Sequence, residues 1–170
     1  MYAQTAKSAA APTAGLHFTP ELLAQIQGQG VPIVSVELVV GLDTFAPVTV
    51  DDPRDHVMHT ESFHVPNETL AAIRSAKRVV AVGTTATRAL ESAGATGKTS
   101  GRTDLFITRG FRFSHVDVLM TNFHMPRTTL LLMIDAFVGE RWRQLYRHAI
   151  DKQYRFLSFG DAMLLDRHAQ

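Results

Sequence analysis

RVVAVGTTATRALE (Arg78–Glu91) decides the fold. Val79 to Val82 is a short apolar run of the kind that forms a buried strand of a parallel sheet. Gly83-Thr84-Thr85 reads as the turn and Ala86 to Ala93 as the helix after it. A strand, a glycine turn and a helix make the unit of an α/β architecture, in which ligands bind outside the carboxyl ends of the strands. Gly83 lets the backbone approach a ligand, Thr84 and Thr85 can cap the helix, and the helix N-terminus favours an anion. Arg88 lies one turn in, either facing the same ligand or paired with Glu61 or Glu91. Neither the glycine spacing nor the lysine of a P-loop is present.

The same alternation continues on both sides. Thr19-Pro20 ahead of ELLAQIQGQG gives an N-cap, a proline at the first helical position and closing glycines. Val31 to Val40 is predicted as a strand, Ser62 to Val65 as a short strand, and Asn67 as the cap of a helix ending near Lys77. DLFI and FRFSHVDVLM predict a hairpin leading into a buried strand that runs to TNFHMP. Thr128 to Lys152 reads as one long helix or two broken near Gly139, and YRFLSFGDAMLL (Tyr154–Leu165) as a final strand. No repeat, low-complexity tract or linker divides the 170 residues, so residues 1–170 are taken as a single α/β domain.

Composition narrows the function classes. The chain is 45% hydrophobic and 19% charged, and its most apolar stretch (Leu130 to Val138) is interrupted by Asp135. A membrane span is not expected. The first residues lack the apolar core of a secretory signal. With no cysteine there is no disulfide, thiolate nucleophile or thiolate-bound zinc. These features predict a cytoplasmic protein. The net charge of +1 is unevenly spread: six Lys/Arg face nine Asp/Glu up to Gly97, whereas Lys98 to Arg155 holds ten against five. Such a lean marks a solvated helix face more often than a phosphate-rich partner, which needs the charges on one surface.

Three further places carry chemistry. TNFHMPRTT packs Thr121, Asn122 and His124 into four residues before a proline and a helix. Polar groups crowded at a strand end serve a ligand or a tight turn. GLDTFAPV offers Gly41, Asp43, Thr44 and Phe45 to the same rim. DHVMHTESFH (Asp55–His64) holds three of the eight histidines with Asp55 and Glu61. His56 and His59 are three apart, and His64 or Glu61 would complete a ligand set, yet no HExxH or comparable zinc pattern appears. A metal site, a solvated loop and a metal-free substrate site remain open.

PTAGLHF (Pro12–Phe18), HVMHTE (His56–Glu61), AVGTTATRALE (Ala81–Glu91), TNFHMPRTTLLLMIDAFVG (Thr121–Gly139) and YRFLSFGDAMLL together resemble the S-adenosylmethionine:tRNA ribosyltransferase-isomerases of queuosine biosynthesis. The likeness runs over nearly the whole chain but spans only the C-terminal half of the family's usual length. It implies the second part of an α/β-barrel-like catalytic domain, the inserted β-barrel domain and N-terminal part being absent, and a partner chain that supplies the rest. Where the family commonly reads LHVGxGTF, this chain has Val39 for the histidine and Asp43 for a glycine.

The resemblance further implies that the ribosyl group of S-adenosylmethionine moves to 7-aminomethyl-7-deazaguanine in the tRNA anticodon loop. There it isomerises to an epoxycyclopentanediol, and adenine and methionine leave. S-adenosylmethionine is then a co-substrate, and no metal is expected. Proton transfer needs a neutral histidine or a carboxylate, which makes His124, His59, His17 and Glu61 the catalytic candidates. Thr13, Gly15, His56, Gly83, Thr84, Thr85, Arg88, Thr121, Asn122 and Asp161 are the binding candidates, with Arg88 and the helix N-terminus assigned to the methionine carboxylate. Two other readings stand beside it: a non-catalytic remnant that binds nucleotide or RNA, and a metal-dependent hydrolase using the histidine cluster.

Overall fold

The computed structural model describes residues 8, 11–41, 50, 52, 56 and 58–169. Two three-stranded sheets share one helix between them. β1 (Glu37–Val39), β2 (Glu61–His64) and β4 (Ser100–Thr103) form an antiparallel sheet in the order β1-β2-β4. β3 (Val80–Val82), β5 (Val118–Asn122) and β6 (Ala162–Asp166) form the other, β3 parallel to β5 and β5 antiparallel to β6. The class is mixed α/β, as the alternation of patterns predicts.

The central helix, α3 (Thr84–Thr96), contacts strands of both sheets. Its small inward residues Ala89 and Ala93 let the sheets approach, and Leu90 fills the space between them. Gly97, at φ 67°, closes it in the left-handed conformation that glycine adopts without a Cβ clash. Helices α1 (Pro20–Gly28), α2 (Asn67–Ser75), α4 (Thr129–Val138) and α5 (Arg141–Asp151) surround this layer. Thr19 and Thr128 cap α1 and α4 through their hydroxyls, accepting from Leu22 N and Leu131 N at 3.2 Å each. Gly139, at φ 61°, breaks the 128–152 stretch into α4 and α5 where the sequence places the break.

Several expected elements differ. Of the strand predicted from Val31 to Val40, only Glu37–Val39 pairs. Pro32 has no N–H to give, and no described strand lies beside residues 31–36, so Val31, Ile33 and Val34 remain exposed. The helix predicted to be capped by Asn67 begins at Asn67 itself, after Pro66.

No hairpin forms from DLFI and FRFSHVDVLM. Glu91, buried on α3, accepts the backbone N–H groups of Ser114, His115 and Val116 at 2.8–3.0 Å, so these donors are not available to a ladder. β4 instead arises at Ser100–Thr103 and pairs with β2. The final strand is shorter than predicted, because residues 155–161 fold into a tight loop. There the Asp161 carboxylate accepts from Arg155 N at 2.7 Å, and Leu157 takes φ 69°.

β3 is an edge. Val79 O accepts from Val118 N and Gly83 N donates to Met120 O. Alternation then turns the backbone groups of Val80 and Val82 away from β5, where no described strand meets them. Val80 is 52% exposed, so the strand predicted as buried is covered on one side only.

Candidate functional site

The carboxyl ends of β3 and β5 lie side by side in a parallel pair, and a groove of about 760 Å³ opens there. Its polar wall is made by Thr13 and Gly15 from the short 3-10 helix Thr13–His17, Gly83 to Thr85 at the start of α3, and Thr121, Asn122 and His124 after β5. Its other wall is apolar, formed by residues 31–36, Val80 and Leu130. Eight of the residues singled out from the sequence therefore meet in one place.

Gly83 sits at φ 95°, ψ 148°, a conformation that side-chain-bearing residues rarely adopt. It directs the chain from β3 into α3. No side chain caps this helix and no acidic residue lies in its first turn. Thr87 N and Thr87 Oγ1 both bond back to Gly83 O at 3.2 Å, while the N–H groups of the turn before it face the groove end without an internal helix acceptor.

Asn122 is the hub of the polar wall and is buried. Its Oδ1 accepts from Thr13 Oγ1 at 3.3 Å, and its Nδ2 lies 3.1 Å from His17 Nε2 and 3.5 Å from Asp161 O. His124 Nε2 lies 3.0 Å from Thr121 Oγ1, and its backbone N–H donates to the Tyr146 hydroxyl at 2.9 Å. Burial lowers the His124 imidazole to about 4, which leaves it neutral at physiological pH. Burial likewise raises the Tyr146 phenol to about 12.

Arg88 and Glu61 take no part in lining the groove. They form an ion pair of 2.5 Å between α3 and β2, with side chains only 4% and 2% exposed. Glu61 Oε1 also accepts from Gly41 N at 3.1 Å. Glu61 is thus the charged group that faces the buried Arg88 guanidinium. Burial pushes the Arg88 guanidinium down while Glu61 opposes the shift, and arginine starts high enough to stay charged. Of the two arrangements open in the sequence, Arg88 at the ligand or Arg88 in an ion pair, the fold adopts the pair with Glu61.

The other candidates are dispersed. His59 is exposed just before β2, His64 is exposed on it, and His56 packs against the Phe106 ring in a tilted arrangement, 5.5 Å between ring centres. Among the described residues no three His, Asp or Glu side chains are grouped as a metal ion requires; Asp43, Thr44, Phe45 and Asp55 lie outside those residues. Asp161 meets the polar wall through its backbone carbonyl, its carboxylate being used in the loop. The sequence did not reveal the Tyr146 hydroxyl as the group that holds His124, because a tyrosine on a helix face gives no sign of which backbone it will reach.

A mixed α/β domain with a mostly apolar groove and one polar wall at the strand ends is a ligand-binding class of structure. Comparison with known proteins narrows the class. The model of the queuosine biosynthesis protein family matches residues 1–165. A Nitrosomonas europaea protein named S-adenosylmethionine:tRNA ribosyltransferase-isomerase is 52% identical, aligned over 98% of this chain and 50% of its own. One from Polynucleobacter necessarius is 53% identical over 93% of this chain and 47% of its own. A crystal structure of S-adenosylmethionine tRNA ribosyltransferase from Thermotoga maritima superposes with a TM-score of 0.73 at 42% identity, covering 89% of this chain and 50% of that one. This chain belongs to the queuosine biosynthesis protein family. It spans about half the length of the curated relatives it matches.

Proposed function

We propose that this chain is part of an S-adenosylmethionine:tRNA ribosyltransferase-isomerase and carries the groove that takes S-adenosylmethionine and the modified base. The observation that carries this reading is the meeting of Thr13, Gly15, Gly83, Thr84, Thr85, Thr121, Asn122 and His124 at the carboxyl ends of β3 and β5. The reaction transfers the ribosyl group to 7-aminomethyl-7-deazaguanine in the anticodon loop of a tRNA, isomerises it to epoxyqueuosine, and releases adenine and methionine.

The uncapped N-terminus of α3 suits the methionine carboxylate. The sulfonium acidifies the ribose C5′ protons, and a neutral imidazole such as His124 is a competent base for one of them. The mostly apolar lining suits the adenine and ribose faces. Glu61 and Arg88 act as positioning residues that fix α3 against β2. No described helix is long and apolar enough to cross a membrane, and a tRNA substrate supports a cytoplasmic location.

The free β3 edge and the exposed Val31, Ile33, Val34 and Val80 support a further reading, that polypeptide equivalent to the other half of the relatives completes this domain. The same features favour the second functional reading, a remnant that binds nucleotide or RNA without turnover. Incubation with S-adenosylmethionine and undermodified tRNA, followed by measurement of released adenine, separates the two. Release that depends on tRNA is expected, from the chain alone or mixed with the N-terminal half of a relative. No release in either mixture removes the enzyme and leaves the remnant.

A further inference from the structure

We infer that Asn122 holds His17 in the neutral tautomer protonated on Nδ1, so that the nitrogen His17 keeps for a ligand is a hydrogen-bond donor. The argument starts from the amide. Asn122 is 4% exposed at the end of β5, where its backbone pairs with Ala162. An asparagine amide presents an acceptor on one side and two N–H donors on the other, and its neighbours decide which side faces which.

One neighbour is unambiguous. The Asp161 backbone carbonyl, 3.5 Å from the amide nitrogen, can only accept, and reversing the amide would set two oxygens against each other. The Thr13 hydroxyl, which can donate or accept, fits this orientation by donating to Oδ1 on the opposite side. With the amide fixed, its remaining N–H points at His17 Nε2, 3.1 Å away. Nε2 must then offer a lone pair. A neutral ring with a lone pair on Nε2 carries its hydrogen on Nδ1. A ring protonated on Nε2 would face N–H with N–H and leave a buried donor without an acceptor.

His17 Nδ1 has no hydrogen-bond partner among the described residues. His17 is half-buried beside the groove rather than among its lining residues. Resting on the proposed function, the partner of Nδ1 is a lone-pair acceptor of a substrate that extends from the groove past Asn122, a ring nitrogen or a ribose oxygen. Asn122 is thus a positioning residue for His17. It separates His17, a donor, from His124, whose role as base does not depend on this amide.

Histidine-selective ¹⁵N NMR of the chain at alkaline pH reads the tautomer directly. His17 Nε2 is expected among the unprotonated ring nitrogens and Nδ1 among the protonated ones. In Asn122→Asp, whose oxygen accepts where the amide donated, the His17 proton is expected to move to Nε2. A parent ring protonated on Nε2, or averaged between the two forms, overturns the inference. So does an Asn122→Asp ring that keeps Nδ1–H. Should that variant fail to fold, the parent spectrum alone decides. A parent with the Nδ1–H tautomer that fails to bind S-adenosylmethionine counts against the proposed function and leaves the tautomer standing.

Discussion

The start and the middle of α3 meet opposite kinds of surroundings. At its start, Gly83, Thr84 and Thr85 open into a groove whose polar wall is built of neutral side chains, several bonded to one another, while Arg78 on its lining is paired with Asp166. Along its length, Arg88 and Glu91 are charged and buried, Arg88 against Glu61 and Glu91 against the 114–116 backbone. The charges therefore hold the fold, and the groove relies on dipoles, hydroxyls and an uncharged imidazole. A carboxylate ligand at the start of α3 would be recognised by N–H groups rather than by Arg88, which is buried against Glu61.

Arg88→Met should have the largest effect. Removing one partner leaves Glu61 buried without its counter-ion, which costs about 3–5 kcal/mol. Urea unfolding measures the loss, and adding Glu61→Leu should recover most of it. A variant within 1 kcal/mol of the parent, a margin of roughly fivefold in the folding equilibrium, would mean the buried pair does not hold α3 to β2.

The next largest effect is a pH dependence at the groove. His124 titrates near 4 when folded, against about 6.5 when unfolded, because burial disfavours its charged form. The unfolded chain therefore binds the proton more readily. Stability from this group is complete above about pH 6.5 and is lost as pH falls toward 4, by about 3 kcal/mol at most. His124→Asn should flatten that part of the stability profile. An unchanged profile would show that His124 is not held neutral by burial.

Glu91→Gln should cost about 2–3 kcal/mol, since a neutral amide replaces a carboxylate that accepts three backbone N–H groups and the Ser114 hydroxyl. Amide exchange of residues 114–116 should rise with it. Protection there equal to the parent's would contradict the role. The smallest effect is expected from Gly83→Ala, about 1–2 kcal/mol. A Cβ at Gly83 would meet Ala14 Cβ at an ordinary 3.7 Å, which leaves only the backbone conformation as a penalty. A loss above about 3 kcal/mol would show that the turn is more crowded than that distance implies.

The strand–turn–helix predicted over residues 79–93 was legible because apolar run, glycine and helix period all agree over one short stretch, although the helix takes in Thr84 and Thr85, read as turn and cap, and runs on to Thr96. TNFHMPRTT was legible for a similar reason, polar residues at a strand end being hard to satisfy otherwise. The hairpin was misread because its pattern is local, whereas Glu91, more than twenty residues earlier, takes the N–H groups that a hairpin needs. The strand predicted over 31–40 was misread because apolar content does not reveal whether a neighbouring strand exists. Arg88 was ambiguous for the same reason: helical spacing gives its angle around α3, while only the packing of β2 shows that Glu61 waits there.

The central claim is that the groove at the ends of β3 and β5 receives S-adenosylmethionine. Backbone amide NMR during titration with S-adenosylmethionine tests it most directly. Saturable shifts at residues 83–86 and 121–124, lost in Gly83→Val, are the predicted result. Shifts gathered instead around His56 to His64, or none at either place, would contradict it.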